Sequence, residues 1–85
     1  MMAVRTVLGI EGMACQMCEA HVNDAIRKNF DVVSVKSNRR KHQCEIVSDQ
    51  ELDRHRVADV VANTGYELTS FESEPYQRKR FGLFG

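Results

Sequence analysis

Three features of the sequence predict its fold class. Four segments alternate apolar and polar residues with the period of two that is typical of strands. Two further segments place apolar residues three and four positions apart, which indicates amphipathic helices. A chain of 85 residues, 42% of them hydrophobic, can bury a single core. The order of the segments predicts an α+β ferredoxin-like βαββαβ domain, a four-stranded antiparallel sheet with two helices on one face.

The first half of the chain is predicted to form a strand, a helix and a second strand. From Cys18 the apolar residues have helical spacing, which predicts a helix that ends near Lys28 or Asn29. Residues 31–36 then predict a strand with Val33 and Val35 on one face. The apolar face of the first strand contains Val4, Thr6, Leu8 and Ile10. The apolar stripe of the helix contains Cys18, Val22, Ala25 and Ile26, and the outward positions are Glu19, Asn23 and Arg27.

The second half is predicted to repeat the pattern. Residues 37–41 are polar enough for a hairpin turn, and the strand over 42–47 places Cys44 and Ile46 on the same face. The S-x-x-E spacing of residues 48–51 predicts a capping box that starts the second helix. That helix ends at Gly65, and residues 66–72 predict the fourth strand. The apolar positions of the second helix are Val57, Val60, Val61 and Thr64.

A change of composition after residue 72 divides the chain into a domain, residues 1–72, and a basic tail, residues 73–85. The tail contains the only proline and ends in FGLFG. Three interpretations of the tail stay open. It is disordered, as chain termini commonly are, or it docks on a partner, or it joins the sheet, either by folding back on the exposed face or by adding an edge strand.

The charge balance excludes several function classes. Twelve Lys and Arg residues against twelve Asp and Glu residues argue against a nucleic-acid binder. The basic clusters at 36–41 and 78–80 are interpreted as a solvated turn and a solvated tail.

No apolar run suits a membrane span or a signal peptide, so we expect a cytoplasmic protein with no stable membrane insertion and with reduced thiols. The short chain also leaves little room for an enclosed substrate cavity, so we expect no enzyme.

The segment GMACQMC, residues 12–18, places two thiols where the first strand gives way to the helix. Cys15 lies in the loop and Cys18 in the first helical turn, so their sulfur atoms can converge at the helix N-terminus, where the macrodipole lowers thiol pKa values. Two soft thiolates satisfy Cu(I), whereas Zn(II) generally binds four donors. We therefore predict Cys15 and Cys18 as metal ligands and Cu(I) as the favoured ion, with Zn(II) or another soft divalent ion as the alternative.

Other sulfur and imidazole groups near this pair have structural explanations. Met13 is expected beside the thiols, packing the loop into the core, and Met17 is expected to be exposed between them. The helix rotates His21 away from the loop, which predicts a surface histidine. Cys44 is interpreted as a small buried hydrophobic residue.

Two other uses of the thiol pair remain open. A C-x-x-C segment before a helix is also the dithiol of thioredoxin-like oxidoreductases, although here no proline lies close to the thiols. A thiol-disulfide redox or redox-sensing protein is therefore one alternative. The other is a Zn(II)-binding adaptor in which a dimer supplies the missing donors.

The motif resembles the GMxCxxC signature of heavy-metal-associated domains, and the resemblance covers residues 4–72, including VSV at 33–35 and the Gly65-Tyr66 pair. It implies a carrier that binds one metal ion through Cys15 and Cys18. The implied transfer is by thiolate exchange to a metal-transporting P-type ATPase or another dithiol metal-binding protein, and a metal-linked homodimer is compatible with it. The resemblance also places Tyr66 close to the metal as a supporting residue.

The chain departs from this family pattern at several positions. Ala14 stands where the family often has Thr or Ser, and residues 29–31 replace a turn that commonly contains glycine. Glu19, directly after Cys18, adds an acidic group that we expect to raise the thiol pKa slightly or to steer docking. These departures leave the metal and the partner open.

Overall fold

The chain forms four strands and two helices in the predicted order. The computed structural model describes residues 2–77. Its elements are β1 (Met2–Glu11), α1 (Gln16–Asn29), β2 (Ser34–Asn38), β3 (Gln43–Ser48), α2 (Arg54–Asn63) and β4 (Glu67–Gln77). The strands form one sheet in the order β2-β3-β1-β4, and each neighbouring pair is antiparallel. No helix in the described range is long and apolar enough to cross a membrane.

The core lies between one face of the sheet and the two helices. Alternation along β1 turns Thr6, Leu8 and Ile10 to this face, where all three are fully buried. Burying a large apolar side chain such as Leu8 or Ile10 contributes about 1.5–3 kcal/mol to stability. The buried cluster consists of Leu8, Ile10, Met13, Val22, Ile26, Val35, Cys44, Ile46, Val57 and Val61.

Strand register brings two connections to the same end of the sheet. Gly9 of β1 pairs with Gln43 of β3, and the backbone N–H of Ile10 donates to the carbonyl of His42 at 2.8 Å. The β2–β3 turn therefore lies against the last residues of β1. The loop that leads to α1 starts at this point, so the turn and the N-terminus of α1 are neighbours.

The second helix starts later than the capping box predicts. Helix α2 begins at Arg54, where the Asp53 side chain caps it by accepting the backbone N–H of His55 at 2.9 Å. Ser48 is instead the last residue of β3, buried, and its Oγ donates to the carbonyl of Gln50 at 2.6 Å. The capping-box prediction was wrong because pairing with β1 keeps Ser48 in the sheet.

The second strand also starts later than predicted. Val33 lies just before β2, and its backbone N–H donates to the carbonyl of Val47 at 2.7 Å. Its side chain is 45% exposed, whereas Val35 is buried. The predicted strand start at residue 31 was wrong, because regular pairing begins at Ser34, and Val32 packs against the core while Val33 stays exposed.

The fourth strand continues past the predicted boundary at residue 72. Residues 73–77 pair with residues 2–6 of β1, so this part of the predicted tail belongs to the sheet. Pro75 suggests an end to regular structure, but proline is tolerated in an edge strand, and β4 is an edge strand. Residues 78–85, which include the basic cluster and the FGLFG segment, lie outside the described residues.

Candidate metal centre

The two predicted ligands meet at the N-terminus of α1. Cys15 is the N-cap residue, with extended backbone angles (φ −151°, ψ 172°). Its carbonyl accepts the backbone N–H groups of Cys18 at 3.1 Å and Glu19 at 3.2 Å. This first helical turn folds the chain so that the Sγ atoms of Cys15 and Cys18 lie 3.0 Å apart. The first helical turn therefore brings two thiols together at the surface.

The two thiols differ in their surroundings. Cys15 is exposed, whereas Cys18 is half-buried and packs against the core cluster. Met17, between them in the sequence, is 80% exposed, as predicted. One sulfur is therefore held by the protein while the other faces solvent, where a group from another molecule can reach it.

Hydrogen bonds lower the pKa of Cys18 to about 6, so this thiol is ionised at neutral pH. The largest contribution is the hydrogen bond from Cys15, followed by that from Tyr66 and by a backbone hydrogen bond from Ala14. The same contact raises the pKa of Tyr66, because its phenol donates to the Cys18 thiolate. The pKa of Cys18 is lowered, as predicted, and the side-chain hydrogen bonds from Cys15 and Tyr66 are the largest causes.

Tyr66 reaches the thiols because Gly12 leaves room for its ring. Gly12 has a φ of +113°, and a Cβ added there would lie only 2.7 Å from Cδ1 of Tyr66. Tyr66 itself follows the end of α2, where its backbone N–H donates to the carbonyl of Val61 at 3.4 Å. The loop, the exit of α2 and the Cys18 thiolate are thus joined through one aromatic ring.

Met13 holds the loop from the core side. Its side chain is 5% exposed and belongs to the buried cluster. Since Gly12 and Cys15 flank this segment, burial of Met13 fixes the loop that carries the first thiol. Met13 therefore supports the thiol loop by packing in the core.

His21 is exposed, as expected, but it has a contact that the sequence did not indicate. Its ring lies edge-on to the ring of Tyr66, with the centroids 6.2 Å apart and an interplanar angle of 74°. Within residues 2–77 no group of three or more His, Cys, Asp or Glu side chains is arranged to hold a metal ion. The histidine therefore adjoins the supporting tyrosine and does not complete a larger ligand set.

Cys44 lies in the core, as predicted. It is fully buried in β3, opposite Leu8 of β1 and Ser37 of β2. Burial raises the pKa of its thiol to about 11, so it keeps its proton at neutral pH. A buried, protonated thiol of this kind is inert toward metals and disulfides.

Comparison with known proteins decides the family. The sequence model of the heavy-metal-associated domain matches residues 7–67. This chain belongs to the heavy-metal-associated domain family. The coordinates resemble those of a CopZ metallochaperone, with 27% sequence identity, 76% of this chain and 98% of that chain covered, and a TM-score of 0.66. Heavy-metal binding is the function that family membership and the dithiol geometry support together.

Other solved structures share the fold of this heavy-metal-associated domain. The N-terminal domain of PacS from Synechocystis PCC6803 is 26% identical, with a TM-score of 0.65 and coverage of 76% of this chain and 92% of that chain. Oxidized MerP from Ralstonia metallidurans CH34 is 24% identical, with a TM-score of 0.69 and coverage of 79% and 94%. The ferredoxin-like fold predicted from the sequence is therefore confirmed.

Glu19 makes contacts in this heavy-metal-associated domain that its predicted outward position does not include. Its carboxylate accepts the backbone N–H of Arg39 at 2.7 Å and contacts the Arg39 guanidinium at 3.3 Å. Nearby, Asn23 accepts a hydrogen bond from Ser37 at 2.7 Å. The prediction that Glu19 and Asn23 face solvent was wrong, because both tie α1 to β2 and the turn that follows it.

We expect Gly12→Ala to damage both the fold and the thiol site of this heavy-metal-associated domain. The substitution combines an unfavourable backbone conformation with a collision against Tyr66, so the free energy of unfolding should fall by about 3 kcal/mol in urea titrations. Gly65→Ala is the matched control. Gly65 has a φ of +96° but no atom within 4 Å of an added Cβ, so only the backbone cost of about 1 kcal/mol applies. Equal losses in the two variants would show that the Tyr66 contact is unimportant.

The lowered pKa of Cys18 predicts that stability depends on pH. A thiol has a pKa near 8.5 in the unfolded chain and about 6 here, so the ionised form stabilises the fold above pH 8.5 and this contribution disappears as the pH falls through 6. Unfolding of the reduced, metal-free protein in urea should show stability rising from pH 6 to 8.5, relative to Cys18→Ser. Tyr66→Phe should reduce the rise. A pH-independent difference between wild type and Cys18→Ser would show that ionisation of Cys18 does not stabilise the fold.

Proposed function

We propose that this domain is a Cu(I) metallochaperone that binds one ion through Cys15 and Cys18 and passes it to a dithiol on a partner protein. The observation that carries the proposal is the pair of sulfur atoms 3.0 Å apart, one of them ionised at neutral pH, at an exposed helix N-terminus. Cu(I) is the cargo of this protein, and the two thiolates are the groups that hold it.

The ligand count favours Cu(I) over Zn(II). Soft thiolates are the preferred ligands of Cu(I), which accepts two of them, whereas structural Zn(II) sites almost always have four donors. Among the described residues no third His, Cys, Asp or Glu side chain joins the pair. Tight Zn(II) binding would therefore need two donors from outside residues 2–77.

The unequal exposure of the two thiols suits transfer. A thiolate of the partner first binds the ion beside Cys15 and Cys18, and Cys15, the exposed ligand, then leaves. A second partner thiolate replaces Cys18, and the ion remains Cu(I) throughout because no electron is exchanged. Cys18 stays a thiolate at neutral pH after it leaves, so the protons released by the partner thiols pass to Cys15 or to the solvent. Cys18 leaves last in this order because the Tyr66 hydrogen bond and the core hold it in place.

Similarity to solved structures supports the copper proposal. One match is named as a metallochaperone. Another, 28% identical over 76% of this chain with a TM-score of 0.68, comes from work on crosstalk between Cu(I) and Zn(II) homeostasis. The partner in this proposal is a metal-transporting P-type ATPase or another dithiol metal-binding protein in the cytoplasm. A homodimer bridged by the metal is a further arrangement that the exposed thiols permit.

The close approach of the two sulfur atoms also favours a second candidate, a thiol-disulfide redox protein. Oxidation would join Cys15 to Cys18, with loss of two protons and two electrons, and would reduce a substrate disulfide to two thiols. A lowered thiol pKa is common to both functions. They differ in turnover, since a redox protein reduces a disulfide substrate repeatedly and a carrier does not.

Anaerobic competition for Cu(I) against a chromophoric chelator tests the proposal. We expect one Cu(I) per monomer or per dimer, bound much more tightly than Zn(II) in a parallel titration. Cys15→Ser/Cys18→Ser should abolish binding, and Cys44→Ser, the matched thiol control, should leave the affinity unchanged because that thiol is buried and protonated. Tight Zn(II) binding with weak Cu(I) binding, or rapid turnover of a disulfide substrate, would contradict the carrier proposal.

A further inference from the structure

The β2–β3 turn is a basic surface beside the metal centre. Residues 39–42 have the sequence RRKH. The hydrogen bond from Ile10 to His42 places this turn at the end of β1. The contact between Glu19 and Arg39 joins it to α1 one residue after Cys18. The basic turn therefore lies next to the thiols in space, although more than twenty residues separate them in sequence.

Hydrogen bonds fix the shape of this basic turn. The side-chain oxygen of Asn38 accepts the backbone N–H groups of Arg40 at 3.0 Å and Lys41 at 3.1 Å. His42 closes the turn in the left-handed region, with a φ of 56°. Since Glu19 also accepts the backbone N–H of Arg39 from the helix side, the backbone of the turn is connected to both of its neighbours.

Two cations on the basic turn are available to another molecule. Arg39 is paired with Glu19, and Glu11 lies 3.8 Å from the His42 ring. Arg40 and Lys41 are exposed, and neither forms an ion pair with any residue from 2 to 77. The whole chain has no net charge, so these two cations are a local feature of the turn.

We propose that the basic turn is the docking surface for a partner protein that presents carboxylates beside its own dithiol. The inference rests on the proposed function and adds the chemistry of the partner. Met17, exposed beside the thiols, supplies an apolar contact, and Arg40 and Lys41 supply a charged rim. Complementary charge at such a rim accelerates encounter and fixes the orientation of the two proteins.

A protein partner fits this surface better than a nucleic acid. Only two cations of the turn are unpaired, and two carboxylates, Glu11 and Glu19, lie beside the same turn. Binding to a phosphate backbone needs many cations along a surface, whereas this patch is small and borders an exposed methionine. A patch with two unpaired cations is small, as expected for the rim of a transient protein complex.

Transfer of Cu(I) to two synthetic peptides tests the docking surface. Both peptides contain the same Cys-Gly-Gly-Cys dithiol, which is followed by glutamates in one and by glutamines in the other. We expect wild-type protein to deliver Cu(I) about fivefold faster to the glutamate peptide at low salt, and we expect the preference to vanish near 0.5 M salt. Arg40→Glu/Lys41→Glu should abolish the preference while Cu(I) affinity, measured against the chelator, stays unchanged.

The matched control is Arg27→Glu/Lys28→Glu, which changes the net charge equally at two exposed positions in the last turn of α1, away from the metal end. It should keep the preference for the glutamate peptide. Equal loss of the preference in both double variants would show that net charge alone matters, and this result would overturn the proposal. Retention of the preference in the turn variant would overturn it as well.

A titration without metal separates this proposal from the proposed function. The metal-free, isotope-labelled protein is titrated with the glutamate peptide and followed by NMR. We expect amide shifts in the metal-free protein that are concentrated at residues 39–42 and absent from Arg40→Glu/Lys41→Glu. Shifts spread evenly over the surface, or tighter binding of a short single-stranded DNA to the same amides, would overturn the docking proposal. Failure of wild type to bind Cu(I) would count only against the carrier function.

Discussion

The metal centre depends on the packing of the Tyr66 ring against Gly12. Only a residue without a Cβ can have the backbone conformation of position 12 and let the ring approach so closely. This contact joins three parts of the chain that are distant in sequence: the loop before α1, the exit from α2 and the thiolate of Cys18. The tyrosine hydroxyl then stabilises the charged form of Cys18, so packing and electrostatics act through one side chain.

The fold assembles these groups at one end of the sheet and keeps them accessible. Burial of Met13 fixes the loop from below, and the first turn of α1 brings the two sulfur atoms together. Glu19 connects the same helical turn to the basic turn that we propose for docking. The core thus holds one thiol in position while Cys15 stays open to exchange. A closed four-ligand site of the kind that holds structural zinc would have no ligand free to leave first.

Most of the fold and the central pair of the site could be predicted from the sequence, because both depend on local patterns. Period-two alternation located β1, and burial of Cys44 followed from its position beside Ile46 on one strand face. The errors arose where tertiary contacts decide the outcome. Ser48 stays in the sheet because β1 pairs with it, and Glu19 turns toward Arg39 because the hairpin turn lies beside the helix. No spacing rule contains these contacts, since they depend on how distant elements pack.

The central claim is that Cys15 and Cys18 are the residues through which this chain binds the cargo ion, with no ligand from Cys44 or His21. X-ray absorption spectroscopy at the copper edge of the Cu(I)-loaded protein tests this claim most directly. With one copper per monomer, the claim predicts two sulfur neighbours for each copper and an unchanged spectrum in Cys44→Ser and His21→Ala. A nitrogen neighbour that disappears in His21→Ala, or a sulfur neighbour lost in Cys44→Ser, would contradict the claim, because each would identify a ligand beyond the pair.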